Sequence, residues 1–440
     1  MKVILHVERD ILLKKLLKPS FIISVLVLVL VAALTMTFFV IPGRITILTG
    51  EDYIFAVRLP LQAYCKSGIL TVSSSHTNTY GGLEKPYTIK AIEEGEAELS
   101  LRIFGIIPFK TVQVRSIDSQ KVIASGAPIG IKLKTDGIII INVSGVVLRD
   151  GTKVVPADEA GLIAGDVLKK AGGKDLNSIS DLIDVIKKSG GKPIELTYSR
   201  QNTEYKTSIT PVKSGEDDEY RLGIWVRDSS AGIGTLTFID PESRIYGALG
   251  HGINDVDTGS LLQVGSGSLL ESTIQGIKKG MKGSPGELEG DFLNNPKVLG
   301  DIKLNCDFGI FGKIDDDKID KFNRNWGRII EIGPHSTVKV GKATILACID
   351  RDIVEEFEIE IQRIARADLS STKNMVLRIT DQRLLESTGG IVQGMSGSPI
   401  IQDGRLIGAV THVFINDPMR GYGVFIESML EKSNMLRRSK

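Results

Sequence analysis

The chain has little that could tie it together covalently or hold a metal. Its 440 residues include three cysteines, Cys65, Cys306 and Cys348. None stands in a Cys-x-x-Cys pair, which argues against a zinc ribbon or a redox motif, and an odd count at wide spacing is no disulfide framework. The three are expected to be small buried hydrophobes, with no metal and no cofactor. An excess of charge of one sign is also lacking. The formal net charge is +1, which argues against nucleic acid as a partner, because its binders carry a basic face. Low-complexity tracts are absent, and so are the repeats of roughly 20–50 residues that mark solenoids and propellers. A chain of 440 residues that is 42% hydrophobic and 24% charged reads as ordinary globular protein in about two to four domains.

Long apolar runs are missing except for one, "FIISVLVLVLVAALTMTFFVI", from Phe21 to Ile41. About 20 such residues span a bilayer as a helix. Lys14, Lys15 and Lys18 precede it, and Glu51 and Asp52 follow. By the positive-inside rule the tail 1–20 stays in the cytosol and the bulk of the chain crosses. A cleaved signal peptide would have a shorter apolar region and a small-residue cleavage site. Residues 21–41 therefore read as an uncleaved membrane anchor, ended by Pro42-Gly43.

Residues 43–118 read as a small β-rich module of short alternating strands, "YIFAVRLPL" and "KTVQVRSI" among them, broken by "SSSHTNTYGG". His76 in that break reads as a solvated loop residue. From 122 to 212 the pattern changes. "APIGIKLKTDGIIIINV" is expected to form two strands around a turn. "SISDLIDVIKKSGG" is expected to be a helix, with Ile179, Leu182, Ile183 and Ile186 on one face, Ser178 as N-cap and Gly190 as stop. With "PADEAGLIAGDVL", Pro156–Leu168, this order resembles a PDZ domain of the bacterial protease-associated type. The resemblance implies a peptide ligand added as a strand beside the helix, its carboxylate taken by backbone amides of a glycine loop. Here that loop would be Pro128 with Ile129, Gly130 and Ile131. Pro128 has no N–H to give, so an internal segment fits as well as a free C-terminus. "SGEDDE", 214–219, reads as a charged linker and a domain boundary.

Many short strands follow from 220 to 435, which suggests a sandwich or barrel. Two stretches carry chemistry: "GALGHGI" around His251 and "GMSGSPIIQDGRLIGAV" around Ser396. An activated serine needs a base, a group that orients the base, and amides aimed at the oxyanion. Gly394, two before the serine, permits a sharp turn that aligns amides. Gly397, just after, is expected to leave room for substrate. The run G-x-S-G-x-P followed by a glycine hairpin is similar to that of chymotrypsin-like peptidases. The G-x-S-x-G elbow of α/β-hydrolases does not fit, because Ser398 replaces its last glycine and a hairpin replaces its helix.

Anchor, PDZ-like region and peptidase, in that order, resemble the sporulation stage IV protein B family, the S55 serine peptidases. The resemblance implies a mainly β chain ending in a chymotrypsin-like double β-barrel. It makes His251 the general base and Ser396 the nucleophile, with the amides of Gly394 and Ser396 as oxyanion hole. It points to Asp381 as the acid behind the base. Chain order by analogy with chymotrypsin offers Asp301 instead, and a dyad without acid stays open. His412 borders the expected specificity pocket, His335 sits in a turn, and His6 falls in the cytosolic tail. Met395 stands where chymotrypsin-like zymogens often carry an aspartate, so activation through a new amino terminus paired beside the serine is not expected. The family resemblance further implies self-cleavage and cleavage of the membrane-bound regulator of an intramembrane metalloprotease. That cut, made between forespore and mother-cell membranes, leads to activation of sigma-K. Two other readings are a quality-control PDZ protease and a non-catalytic PDZ scaffold.

Overall fold

The computed structural model describes residues 19–58, 61–74, 84–201, 203–292, 296–365 and 369–438. His6, Lys14, Lys15, Lys18 and His76 lie outside them. The chain divides into two compact units, with the boundary between Ser119 and Gln120.

In the first unit, helix α1 spans Pro19–Val40. Its window Ile22–Phe39 has a mean hydropathy of 2.8 and none of it is buried; it is long and apolar enough to cross a membrane. Its end is capped by Lys110, whose Nζ donates to the carbonyls of Phe38 (2.8 Å) and Ile41 (2.6 Å). A cation there satisfies carbonyls that the helix leaves unpaired. The strands that follow form a four-stranded and a three-stranded sheet. Alternate residues such as Ile45, Ile47, Leu99 and Leu101 point into one buried core, as period-2 patterning dictates.

The second unit is built on two long strands. In chain order its main elements are β1 (Lys121–Ala124), β2 (Pro128–Val143), β3 (Val167–Ala171) and helix α2 (Ile179–Ser189). Then come β4 (Ile194–Arg200), β5 (Thr203–Ile209), β6 (Ile224–Ile239), β7 (Ile245–Ala248), β8 (Val264–Glu271) and β9 (Gly309–Lys313). The last part comprises β10 (Gly341–Asp350), β11 (Ile353–Ile364), β12 (Met375–Ile379), α3 (Gln382–Thr388), β13 (Pro399–Gln402), β14 (Arg405–Phe414), β15 (Asp417–Phe425) and α4 (Ile426–Arg438). Strands β10 to β15 close a six-stranded barrel in the order β10-β11-β12-β15-β14-β13.

"APIGIKLKTDGIIIINV" forms one continuous strand rather than a hairpin. The first half of β2 lies between β6 and β8, and its second half pairs with the start of β6 and with β3. Strands β2 and β6 therefore run through both the peptidase sheet and the PDZ-like module. That module, β3 to β5 with α2, is inserted between them. Leu182 and Ile186 of α2 join its buried core with Leu168, Leu196 and Tyr198. Ser178 caps the helix by accepting from the Asp181 amide, and Gly190 ends it at φ 59°. The "AGD" of the PDZ-like motif has a structural cause. Asp166 is fully buried, accepts from the Ile163 amide, and pairs with Arg200 at 2.7 Å through both carboxylate oxygens.

One boundary and one expected binding loop need correction. The stretch 214–219 is not a free linker: it is the turn between two short paired strands, Val212–Lys213 and Tyr220–Arg221, and Ser214 is buried. Ile129, Gly130 and Ile131 form no carboxylate loop. They sit inside β2 with β6 on one side and β8 on the other, so both edges of that strand are already paired.

Candidate active site

The serine segment is held against β6 by three hydrogen bonds. The Thr235 amide donates to the Ser396 carbonyl at 2.9 Å. The Thr235 hydroxyl donates to the Gly394 carbonyl and the Thr237 hydroxyl to the Gly397 carbonyl, both at 2.7 Å. On the other side the Gly397 amide donates to the Val410 carbonyl of β14 at 2.8 Å. The segment thus bridges the barrel and the first sheet. Thr235 and Thr237 were not singled out by sequence. The signal was present, in two hydroxyls two residues apart on one face of an otherwise apolar strand, "GTLTFI".

Gly394 and Gly397 adopt φ of 96° and 97°, backbone that L side chains avoid. Gly397 does not open space for substrate as expected. A Cβ there would lie 2.0 Å from the Thr235 carbonyl oxygen and 2.6 Å from the Leu249 amide. Its small size serves the approach of the two halves. Met395 is fully buried in the barrel core.

Leu249, beside the base candidate, has φ 70° without being glycine. It is buried and its amide donates to the Thr235 carbonyl at 3.2 Å. Strain of this kind persists only where packing over-determines it, and it delivers His251 from the end of β7. His251 and Ser396 line one cleft of about 470 Å³, together with Gly394, Thr411 and His412. The amides of Gly394 and Ser396 donate to no described residue. The Ser396 hydroxyl donates to the Thr411 carbonyl at 2.7 Å, so it must turn about χ1 to address an imidazole.

His251 Nδ1 lies 2.8 Å from the Gly252 carbonyl. A carbonyl accepts only, so Nδ1 carries the proton and Nε2 is left as the basic nitrogen. Burial pulls the His251 pKa down from 6.5, partly offset by that hydrogen bond. His412 packs on it with ring centroids 4.8 Å apart. Desolvation first, then the charges of His251 and Lys373, bring His412 down to about 4. Both rings are therefore neutral at pH 7.

Neither acid candidate is brought to His251. Asp381 is the N-cap of α3, accepting from the amides of Arg383 (3.0 Å) and Leu384 (3.4 Å). It also accepts from the Glu358 amide and pairs with the Arg383 guanidinium. Burial opposes ionisation there, but these hydrogen bonds win and hold the carboxyl below its ordinary range. Asp301 accepts from the Lys313 amide at 2.9 Å and pairs with Lys303. His335 is occupied elsewhere, its Nδ1 2.6 Å from a Glu427 carboxylate oxygen. Asp381→Asn is accordingly expected to keep the cap, since Asn caps as well as Asp, and to change kcat/KM by less than about threefold. Loss of an orienting acid would instead lower kcat about 10⁴-fold, so steady-state kinetics on this variant separates the two roles.

The loop sought at 128–131 has a counterpart elsewhere. Arg221-Leu222-Gly223-Ile224 leads into β6 beside α2, and the amides of Leu222 and Gly223 donate to no described residue. The same apolar-Gly-apolar pattern occurs in both places, and only topology tells them apart.

Residues 218–430 match the SpoIVB peptidase S55 family. Among solved structures, a PDZ domain of the SdrC-like protein from Listeria monocytogenes aligns at 22% identity, covering 21% of this chain and 87% of that one, with a TM-score of 0.17. No curated relative matches. The mostly β architecture, the cleft that holds His251 and Ser396, and the family match lead to one assignment: residues 218–430 are a serine peptidase region of the SpoIVB peptidase S55 family.

Proposed function

We propose that this chain is a membrane-anchored endopeptidase in which Ser396 is the nucleophile and His251 the base. The main support is that one cleft holds both side chains beside two unbonded amides. Ser396 Oγ attacks the scissile carbonyl carbon while its proton passes to His251 Nε2. The amides of Gly394 and Ser396 receive the oxyanion. His251 then gives the proton to the leaving amine, and water, deprotonated by the same nitrogen, releases the acyl group. The Gly252 carbonyl holds the imidazole tautomer in the place usually taken by a carboxylate.

Helix α1 anchors the chain, and the peptidase acts on the extracytoplasmic side. The family match over 218–430 supports the sporulation role: self-cleavage, then cleavage of the membrane-bound regulator of an intramembrane metalloprotease, signalling from forespore to mother cell toward sigma-K. N-terminal sequencing of the full chain recovered from membranes tests this. Wild type is expected to show new amino termini, and Ser396→Ala only the intact chain. Identical behaviour of the two would favour the scaffold reading. Degradation of unfolded casein at many sites, with no discrete self-cleavage, would favour quality control.

A further inference from the structure

Strand β6 has one paired edge and one open edge over most of its length. Residues Ile224–Thr235 pair with β2 on one side. On the other side no strand pairs with Ile224–Ile233 among the described residues, and β7 joins only from Leu236 onward. An open edge of this kind is a template for an added strand. Ten residues at about 3.3 Å each give a path of roughly 30 Å.

The two ends of this edge lie in different places. At its start the edge runs beside α2. The helix is tied to the strand by the Ile179 amide, which donates to Asp228 Oδ2 at 2.9 Å. The far end of α2 lies by the turn before β6, through the ion pair of Lys187 with Glu219. Helix and strand therefore run in opposite directions and flank a slot. Ile183, on the exposed side of α2, keeps 45% of its surface in solvent. At its other end the same edge enters the catalytic cleft, which is lined by Ser230, Ala231, Gly232 and Ile233 together with His251 and Ser396. Ala231 and Gly232 are exposed.

We propose that the open edge of β6 binds the substrate polypeptide as one added antiparallel strand reaching from the catalytic cleft to the slot beside α2. This rests on the peptidase reading above. Direction follows from the amides of Leu222 and Gly223, which donate to no described residue and would donate to the carbonyl or carboxylate end of the bound segment. The substrate therefore runs from the cleft toward Ile224. The residues downstream of the scissile bond pair with β6, and those about seven to nine positions on sit against Ile183. The PDZ-like module then acts as the distal part of the substrate site, joined to the nucleophile through one strand. Coupling needs no domain movement, because β6 carries both ends.

Hydrogen exchange on the full-length Ser396→Ala chain in detergent, with unfolded β-casein as probe, tests this. Saturating casein is expected to slow amide exchange about tenfold or more across both 224–228 and 230–233, as added-strand pairing would. Protection at one end only, or at neither, overturns the proposal. In parallel, wild-type cuts in β-casein are mapped and peptides around the strongest cut are synthesised with two to twelve downstream residues. Their kcat/KM is expected to rise about tenfold once the downstream arm exceeds about seven residues. Ile183→Lys is expected to flatten that rise. A flat length series in wild type overturns the track while leaving the peptidase standing. Protection at both ends without any Ser396-dependent cleavage would sink the peptidase reading and leave the track.

Discussion

His251→Ala is expected to lower kcat about 10⁶-fold, and adding Ser396→Ala is expected to cost little more, because members of a catalytic unit are grossly non-additive. The reason is geometric. Without an acceptor for its proton the serine hydroxyl stays on the Thr411 carbonyl, where it is no nucleophile. Oxyanion amides on Gly394 and Ser396 remain in either variant and sustain the residue of activity. The pH profile identifies the base. Only a neutral imidazole accepts the proton, so kcat/KM falls on the acid side as the base protonates. Burial lowers the pKa of His251 from 6.5, so the acid limb is expected below 6.5. The charge-free substitution His412→Ala separates the two rings, since burial also lowers His412, to about 4. Measured from neutral pH downward, kcat/KM of this variant is expected to keep an acid limb, and loss of both activity and limb would make His412 the base.

The parts of this fold that follow local rules were legible in the sequence. The apolar run gives α1, and Ser178, Asp181 and Gly190 bracket α2 where capping chemistry puts them. Ser396 and His251 stood out because glycine neighbours in a β-rich region are a strong local signal, and one cleft receives both. Long-range pairing was not legible. Nothing in "PIGIKLKTDGIIIINV" distinguishes a hairpin from one strand, because both satisfy the same alternation. Only the partner strands β6 and β8 decide it. The same blindness put the expected amide loop at 128–131, inside a strand that is paired on both edges. Asp381 shows a different limit. An aspartate before a helix reads equally as a cap or as a catalytic acid, and its hydrogen bonds to Arg383, Leu384 and Glu358 are set by the barrel. Helix α3 itself was missed, since seven residues carry too little periodicity to register.

Gly397→Ala is expected to destabilise the second unit by about 3–5 kcal/mol, near the top of the range for single substitutions, and to abolish activity in whatever still folds. Two costs combine. One is the positive φ of 97°, which an alanine pays for at about 1–2 kcal/mol. The other is collision with backbone atoms of Thr235 and Leu249, which belong to a buried strand and a buried corner and cannot swing aside. Gly404→Ala isolates the first cost. Gly404 has φ 77° in the turn between β13 and β14, with nothing within 4 Å of an added Cβ. Thermal unfolding of the two variants is expected to differ by roughly 5–10 °C in Tm, with Gly397→Ala the lower. The difference measures how tightly the barrel and the first sheet meet. Relief of the collision would separate the Gly397 and Ser396 carbonyls from Thr237 and Thr235. That movement would carry Ser396 away from His251, which stands on the corner made by Leu249. Equal Tm values for the two variants would mean that the halves are not held together at this glycine, and the positioning of the nucleophile would then have to come from the barrel alone.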